Sequence, residues 1–237
     1  MWSFVNKKLN KDGNNKQIKG INNNGTVCTD DKRTANHFNM FSSTVVSNLY
    51  NNVTPPKENH VFSLIPAKEH TLFLEYTNKE EVMKTILGLK NKAGEGDEIH
   101  AFTLKLAAPF IAPHLAHIIN TAIYQGTCPS QFKNSDICPI YKSGSKKELN
   151  NYRPISLISN LAKVFEKIIF SKLYNFVINN HLISVNQFGF LKNKGANDAI
   201  ALLGDYVYEK LGCSDPTIVA FLDYSKAFDT VDHNILL

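Results

Sequence analysis

Between Leu161 and Val177 the apolar residues Leu161, Val164, Phe165, Ile168, Leu173 and Phe176 recur at helical spacing over about five turns. A stripe this long has to lie against another apolar surface, so the chain must build a core around it. Its 237 residues allow one large domain or two small ones. An apolar fraction of 43% with 20% charged residues excludes a wholly disordered, collagenous or coiled-coil chain.

The remaining elements follow from local signals. Residues 1 to about 60 are rich in Asn, Lys and Thr. Asn22 to Asp31 reads as a turn or short hairpin. Phe38, Phe41, Val45, Val46 and Leu49 then predict a helix with Thr34 as its cap, ending at Asn51–Asn52. Residues 55 to 76 read as an irregular linker. Asn78 can cap a second helix with Glu80 and Glu81 in its first turn and Val82, Met83 and Ile86 on one face. The loop from Ala93 to Asp97 is expected to stop it. Two shorter helices follow, split by Pro109 and Pro113. Asp136 to Lys142 suits a strand that Pro139 confines to an edge or bulge. After the long helix come the loop QFGFLKNKG and an amphipathic helix from Ala196 to Leu211. Thr217 to Leu222, TIVAFL, reads as a buried strand. The class is α+β, helix-rich, with few strands.

A net charge of +5 is mild and compatible with a nucleic-acid partner. The four cysteines show no CxxC spacing and read as reduced thiols. No run approaches the ~20 apolar residues of a membrane span, and the N-terminus lacks the apolar core of a secretory signal. The chain therefore reads as intracellular, in the cytoplasm or nucleus, with no membrane partner.

Two constellations carry chemistry. Asp223 stands just beyond TIVAFL. An acid there either caps the next turn or holds a hard cation such as Mg2+, which prefers oxygen ligands. Asp229, Asp232 and His233 read as solvated or capping residues. Lys142, Lys146, Lys147 and Arg153 flank a Gly-Ser loop, which is either plainly solvated or able to fold over a polyphosphate. The glycines of AGEGDE match neither GxGxxG nor a P-loop.

Read in order, KNKAGEGDEIHAFTLK, DICPIYKSGSKKELNNYRPISLISNLAKVFEKII, NQFGFLKNKG and VAFLDYSKAFDTVDHNILL resemble the reverse transcriptase domain of non-LTR, LINE- and jockey-like retrotransposons. The resemblance covers residues 78–237. It extends more weakly, through NGTVCTDDKRTANHFNMFSS, to residues 1–77 as the linker-like, partly helical segment upstream of such a polymerase. It implies a right-hand polymerase fold, here fingers and an incomplete palm. It makes Asp223 the first catalytic and metal-binding aspartate, with the Leu222 and Tyr224 backbones beside it, and Phe228 the steric gate against ribose. By the same likeness Arg153, Lys142 and Lys146 grip the dNTP triphosphate. Gln187, Phe188, Gly189 and Phe190 lie at template and primer.

The implied function is RNA-directed DNA polymerisation: two-metal addition of dNTPs to a DNA primer on an RNA template. Mg2+, with Mn2+ as the alternative ion, is expected only for the complete polymerase. The sequence departs from the family pattern at Gly94–Glu98, where Gly-Pro-Asp-Gly is usual, and at Leu191, where a basic residue is usual. No Tyr-x-Asp-Asp stands anywhere in the 237 residues. The expectation is therefore a truncated polymerase fragment, inactive and marginally soluble by itself. The alternative is a domesticated, non-catalytic RNA-binding module.

Overall fold

The computed structural model describes residues 20–23, 26–50, 71–91, 99–213, 215–224, 227 and 231. The described chain is helix-rich with two small two-stranded sheets. It divides into two compact units. One joins the described part of 1–57 to Ser135–Leu157, and the other joins the described part of 58–134 to 158–237.

In the first unit, β1 (Ile21–Asn23) and β2 (Thr26–Cys28) pair antiparallel, Asn22 opposite Val27, as the hairpin reading of this stretch expects. Helix α1 (Asp31–Tyr50) follows. Its first turn is capped by Asp30, whose Oδ1 accepts the Arg33 N–H at 2.8 Å. Thr34, the expected cap, instead lies inside the helix and is buried. An aspartate one residue outside the helix competes better for the free amides than a threonine four positions on. Strands β3 (Ser135–Tyr141) and β4 (Tyr152–Ile158) form the second sheet. Each has a free edge, which is where Pro139 is tolerated. Ile21, Phe38 and Tyr152 are the buried core of this unit, with Tyr141 and Leu149 packed on it.

The second unit is built on α2 (Lys79–Leu87), α3 (Ala101–Gln125) and α4 (Asn160–Asn179). Asn78 caps α2 as expected, accepting the Glu81 N–H at 2.8 Å, and Ser159 caps α4 by accepting the Ala162 N–H at 3.0 Å. Helix α2 ends earlier than expected, at Gly88, whose N–H bonds the Lys84 carbonyl. The loop from Ala93 to Asp97, expected to stop it, lies outside the described residues.

One continuous helix replaces the two that Pro109 and Pro113 were expected to separate. Both prolines stand on its exposed side, one turn apart. Water can satisfy the carbonyls they leave unpaired there, while Leu104, Ala108, Ala112, Leu115 and Ile119 are buried on the opposite side. That burial outweighs the roughly 3 kcal/mol that an interior proline costs. With the break removed, α3 is long and apolar enough by length and composition to cross a membrane, contrary to the sequence reading. Here its buried face packs on α2 and α4. Gly126 closes it in the left-handed region (φ 62°), where a side chain would be strained.

The approach to α2 is pinned by one side chain. Asn120 Oδ1 accepts the Thr77 N–H at 2.7 Å, and Asn120 Nδ2 donates to the Thr77 carbonyl at 2.9 Å. Thr77 Oγ1 donates to Glu81 at 2.6 Å, and Lys172 pairs with the same carboxylate at 3.3 Å. Asn120→Leu strands both Thr77 backbone groups. It is expected to cost about 1–3 kcal/mol, measured by urea denaturation.

Helix α5 (Ala196–Gly212) is the last helix among the described residues, with the Asp198 carboxylate accepting the Gly195 N–H at 2.7 Å. The segment 215–224 is not the buried strand expected of TIVAFL. It has no regular structure, and Ile218 is 96% exposed. A strand needs a neighbour to take its backbone hydrogen bonds. Among the described residues no strand pairs with 217–222.

Candidate nucleotide-binding hairpin and carboxylate

The basic loop between β3 and β4 is tightly organised. Lys142 N–H bonds the Asn151 carbonyl at 2.8 Å and closes the loop at its base. Tyr141 Oη donates to the Gly144 carbonyl at 2.6 Å, and Asn151 Nδ2 to the Ser145 carbonyl at 2.9 Å. Tyr152 Oη donates to the Lys146 carbonyl at 2.7 Å. Burial, and secondarily the neighbouring Tyr141 phenol, hold the Tyr152 hydroxyl above its ordinary pKa, so it stays protonated and keeps donating at neutral pH. Lys146 Nζ lies over the Tyr141 ring, 5.6 Å from its centroid.

These bonds spend the loop's carbonyls inward. Lys142, Lys146, Lys147 and Arg153 remain exposed around it, with the charge density that a polyphosphate requires. Gly144 is needed at the turn. Its φ is +88°, and an added Cβ would lie 2.7 Å from Asn151 Nδ2. Gly144→Ala is expected to loosen the loop by about 1–2 kcal/mol, seen as faster tryptic cleavage after Lys146 and Lys147.

The other predicted residues fall in the second unit. Asp223 is exposed in the irregular segment 215–224, between Leu222 and Tyr224, which are exposed as well. Phe228, Asp229, Asp232 and His233 lie outside the described residues. Among the described residues no three His, Cys, Asp or Glu side chains gather into a metal site. Asp223 with the Leu222 and Tyr224 carbonyls suits Mg2+ as one part of a ligand set, because that ion takes one or two carboxylates and fills its shell with water and phosphate oxygens.

Gln187, Phe188, Gly189 and Phe190 lie in the loop after α4. Gln187 Nε2 donates to the Gly189 carbonyl at 3.2 Å, and Phe190 is exposed with φ 62°. Two lysines that the sequence reading passed over flank it. Lys192 Nζ lies 4.8 Å from the Tyr174 ring centroid, and Lys194 Nζ lies 5.2 Å from that of Phe188. Both rings are half-buried, and the cations held over them offer charge to a phosphate. The two Phe followed by two Lys, each at every second position of QFGFLKNK, were the available signal.

Residues 142–237, which run from the base of the basic loop to the end of the chain, match the family described as reverse transcriptase (RNA-dependent DNA polymerase). The resemblance carried by NYRPISL and FLDYSKAFDTVDH therefore holds. The chain is 30% identical to the RNA-directed DNA polymerase from mobile element jockey of Drosophila melanogaster, over 70% of this chain and 18% of that protein. It is 26% identical to a Drosophila melanogaster protein named as a probable RNA-directed DNA polymerase from transposon BS, over 90% of this chain and 24% of the relative. A jockey polymerase of Drosophila funebris matches at 28% over 67% of this chain and 18% of its own length. The chain thus spans about a quarter or less of these relatives.

Proposed function

We propose that this chain carries the fingers and part of the palm of a right-hand RNA-directed DNA polymerase from a non-LTR retrotransposon, in residues 78–237, with residues 1–77 as the segment upstream of it. The observation that carries the reading is the match of 142–237 to the reverse transcriptase family, whose span opens on an ordered cationic hairpin and contains the acid expected to bind metal. In this reading Lys142, Lys146 and Arg153 bind the triphosphate of an incoming dNTP. Gln187 to Phe190, with Lys192 and Lys194, contact an RNA template and DNA primer. Phe228 excludes a ribose 2′-OH.

Asp223 and the Leu222 and Tyr224 carbonyls would hold Mg2+. When bound, the ion favours attack by the primer 3′-OH and stabilises the leaving pyrophosphate. Arg153 and the lysines orient the triphosphate and neutralise its charge. We place the protein in the cytoplasm or nucleus, where an RNA template and dNTPs are found together.

Two-metal chemistry needs further carboxylates, and no Tyr-x-Asp-Asp is present. The chain by itself is therefore expected to give no primer extension with Mg2+, dNTPs and an RNA template. Joined in frame to the Tyr-x-Asp-Asp segment of a jockey relative, it is expected to extend the primer, and Asp223→Ala to lower that rate about a thousandfold or more. Extension by the chain alone, or activity that survives Asp223→Ala, would overturn the assignment.

A further inference from the structure

We propose that the upstream hairpin β1–β2 and helix α1 brace the basic loop, holding its lysines in a shape ready for a polyphosphate. The second half of this inference rests on the function proposed above; the brace itself does not.

The two lysine carbonyls at the tip of the loop are each tied to a different support. The Lys147 carbonyl accepts the Asn22 N–H at 2.7 Å. This uses the edge of β1 that faces away from β2, and Asn22 Nδ2 adds a bond to Glu148 Oε1 at 3.3 Å. The Lys146 carbonyl accepts the Tyr152 hydroxyl. Tyr152 is in turn fixed by rings on both sides. Phe38 of α1 meets it edge-on at 5.0 Å, and Tyr141 meets it at 5.7 Å.

A free loop of this composition would sample many shapes, and each lysine would lose that freedom when it bound an anion. Here the backbone under the lysines is already ordered by residues more than a hundred positions upstream (Asn22 and Glu148 are 126 apart). The cost is met in folding rather than in binding. Asn22, Phe38 and Tyr152 are therefore positioning residues: Asn22 and Tyr152 bond the loop, Phe38 acts through Tyr152, and the loop's cations touch the ligand.

The test uses the whole chain and two readouts. Tryptic cleavage after Lys146 and Lys147 reports loop opening, with cleavage after Lys163 and Lys167 of α4 as the control for general unfolding. Titration calorimetry with inorganic tripolyphosphate reports binding. Tyr152→Phe keeps the ring stack and removes one hydrogen bond. It is expected to raise loop cleavage about fivefold, leave α4 cleavage unchanged and weaken tripolyphosphate by a similar factor. Asn22→Ala and Phe38→Leu should act in the same direction.

Loop cleavage unchanged in all three variants would overturn the brace. Faster cleavage with unchanged tripolyphosphate affinity would overturn its link to binding. Faster cleavage in a protein whose unsubstituted form takes up no tripolyphosphate would sustain the brace and overturn the polyphosphate reading of the loop.

Discussion

Ile119→Ala is expected to destabilise the second unit by about 2–5 kcal/mol, read as a lower urea midpoint with an unchanged slope. Ile119 is fully buried on α3, in one cluster with Val82 and Ile86 of α2 and Val164 and Ile168 of α4. The truncation removes the transfer free energy of three carbons and leaves a cavity. Ala116 and Ala112 stand about one and two turns before Ile119 on the same buried side of α3. They have no length with which to fill the space. The neighbouring helices would have to move, and α2 is held in place by the Asn120–Thr77 and Lys172–Glu81 contacts. The loss should therefore fall in the upper part of the range. A cost below about 1 kcal/mol would mean that the three helices repack freely. The reverse change, Ala112→Leu, forces bulk into the same seam and costs less, about 1–3 kcal/mol.

Arg153→Ala is expected to weaken tripolyphosphate or dNTP binding about ten- to a hundredfold, the equivalent of about 1.5–3 kcal/mol for hydrogen bonds to a charged group. Arg153 projects from β4, directly after the buried Tyr152. Alternation along a strand sends the two side chains to opposite faces, so the tyrosine that anchors the hairpin turns the arginine outward. Among the described residues no carboxylate pairs with it, so no ion pair has to be broken before an anion binds. Arg153→Lys should restore only part of the affinity, because an ammonium cannot reproduce the planar fork that meets two phosphate oxygens together. The difference should shrink as ionic strength rises. Equal affinity in Arg153→Ala and the unsubstituted chain would remove Arg153 from the site.

Elements marked by a local signal were legible in the sequence. Asn78 was read as a cap and is one, and the stripe from Leu161 to Phe176 admits one period only. The prolines of α3 misled because their cost depends on which side of a helix they occupy. That follows from packing, not from the prolines themselves. TIVAFL misled for a related reason. Its β-branched run describes a side-chain environment, and a strand also requires backbone partners that those six letters do not contain. The cationic loop was legible as charge. Its inward-turned carbonyls and the ring stack beneath it were not, because Phe38 and Tyr152 come together only through the fold. For Asp223 spacing left two readings open, a cap or a metal ligand, and only the resemblance favoured one of them.

The interleaving of the two units has a consequence for the order in which the chain takes shape. Helices α2 and α3 are near neighbours in sequence and can associate as soon as both have been made. The first unit cannot. Its hairpin and α1 are synthesised early, but their partners arrive only with residues 135–157, and the Asn22–Glu148 contact closes across 126 positions. Closing so long a span carries an entropy cost that local contacts cannot repay in advance. During synthesis Phe38 and Ile21 therefore wait without their core. The part of the molecule that orders the cationic loop is completed late, after the helices that lie between its two halves in the chain.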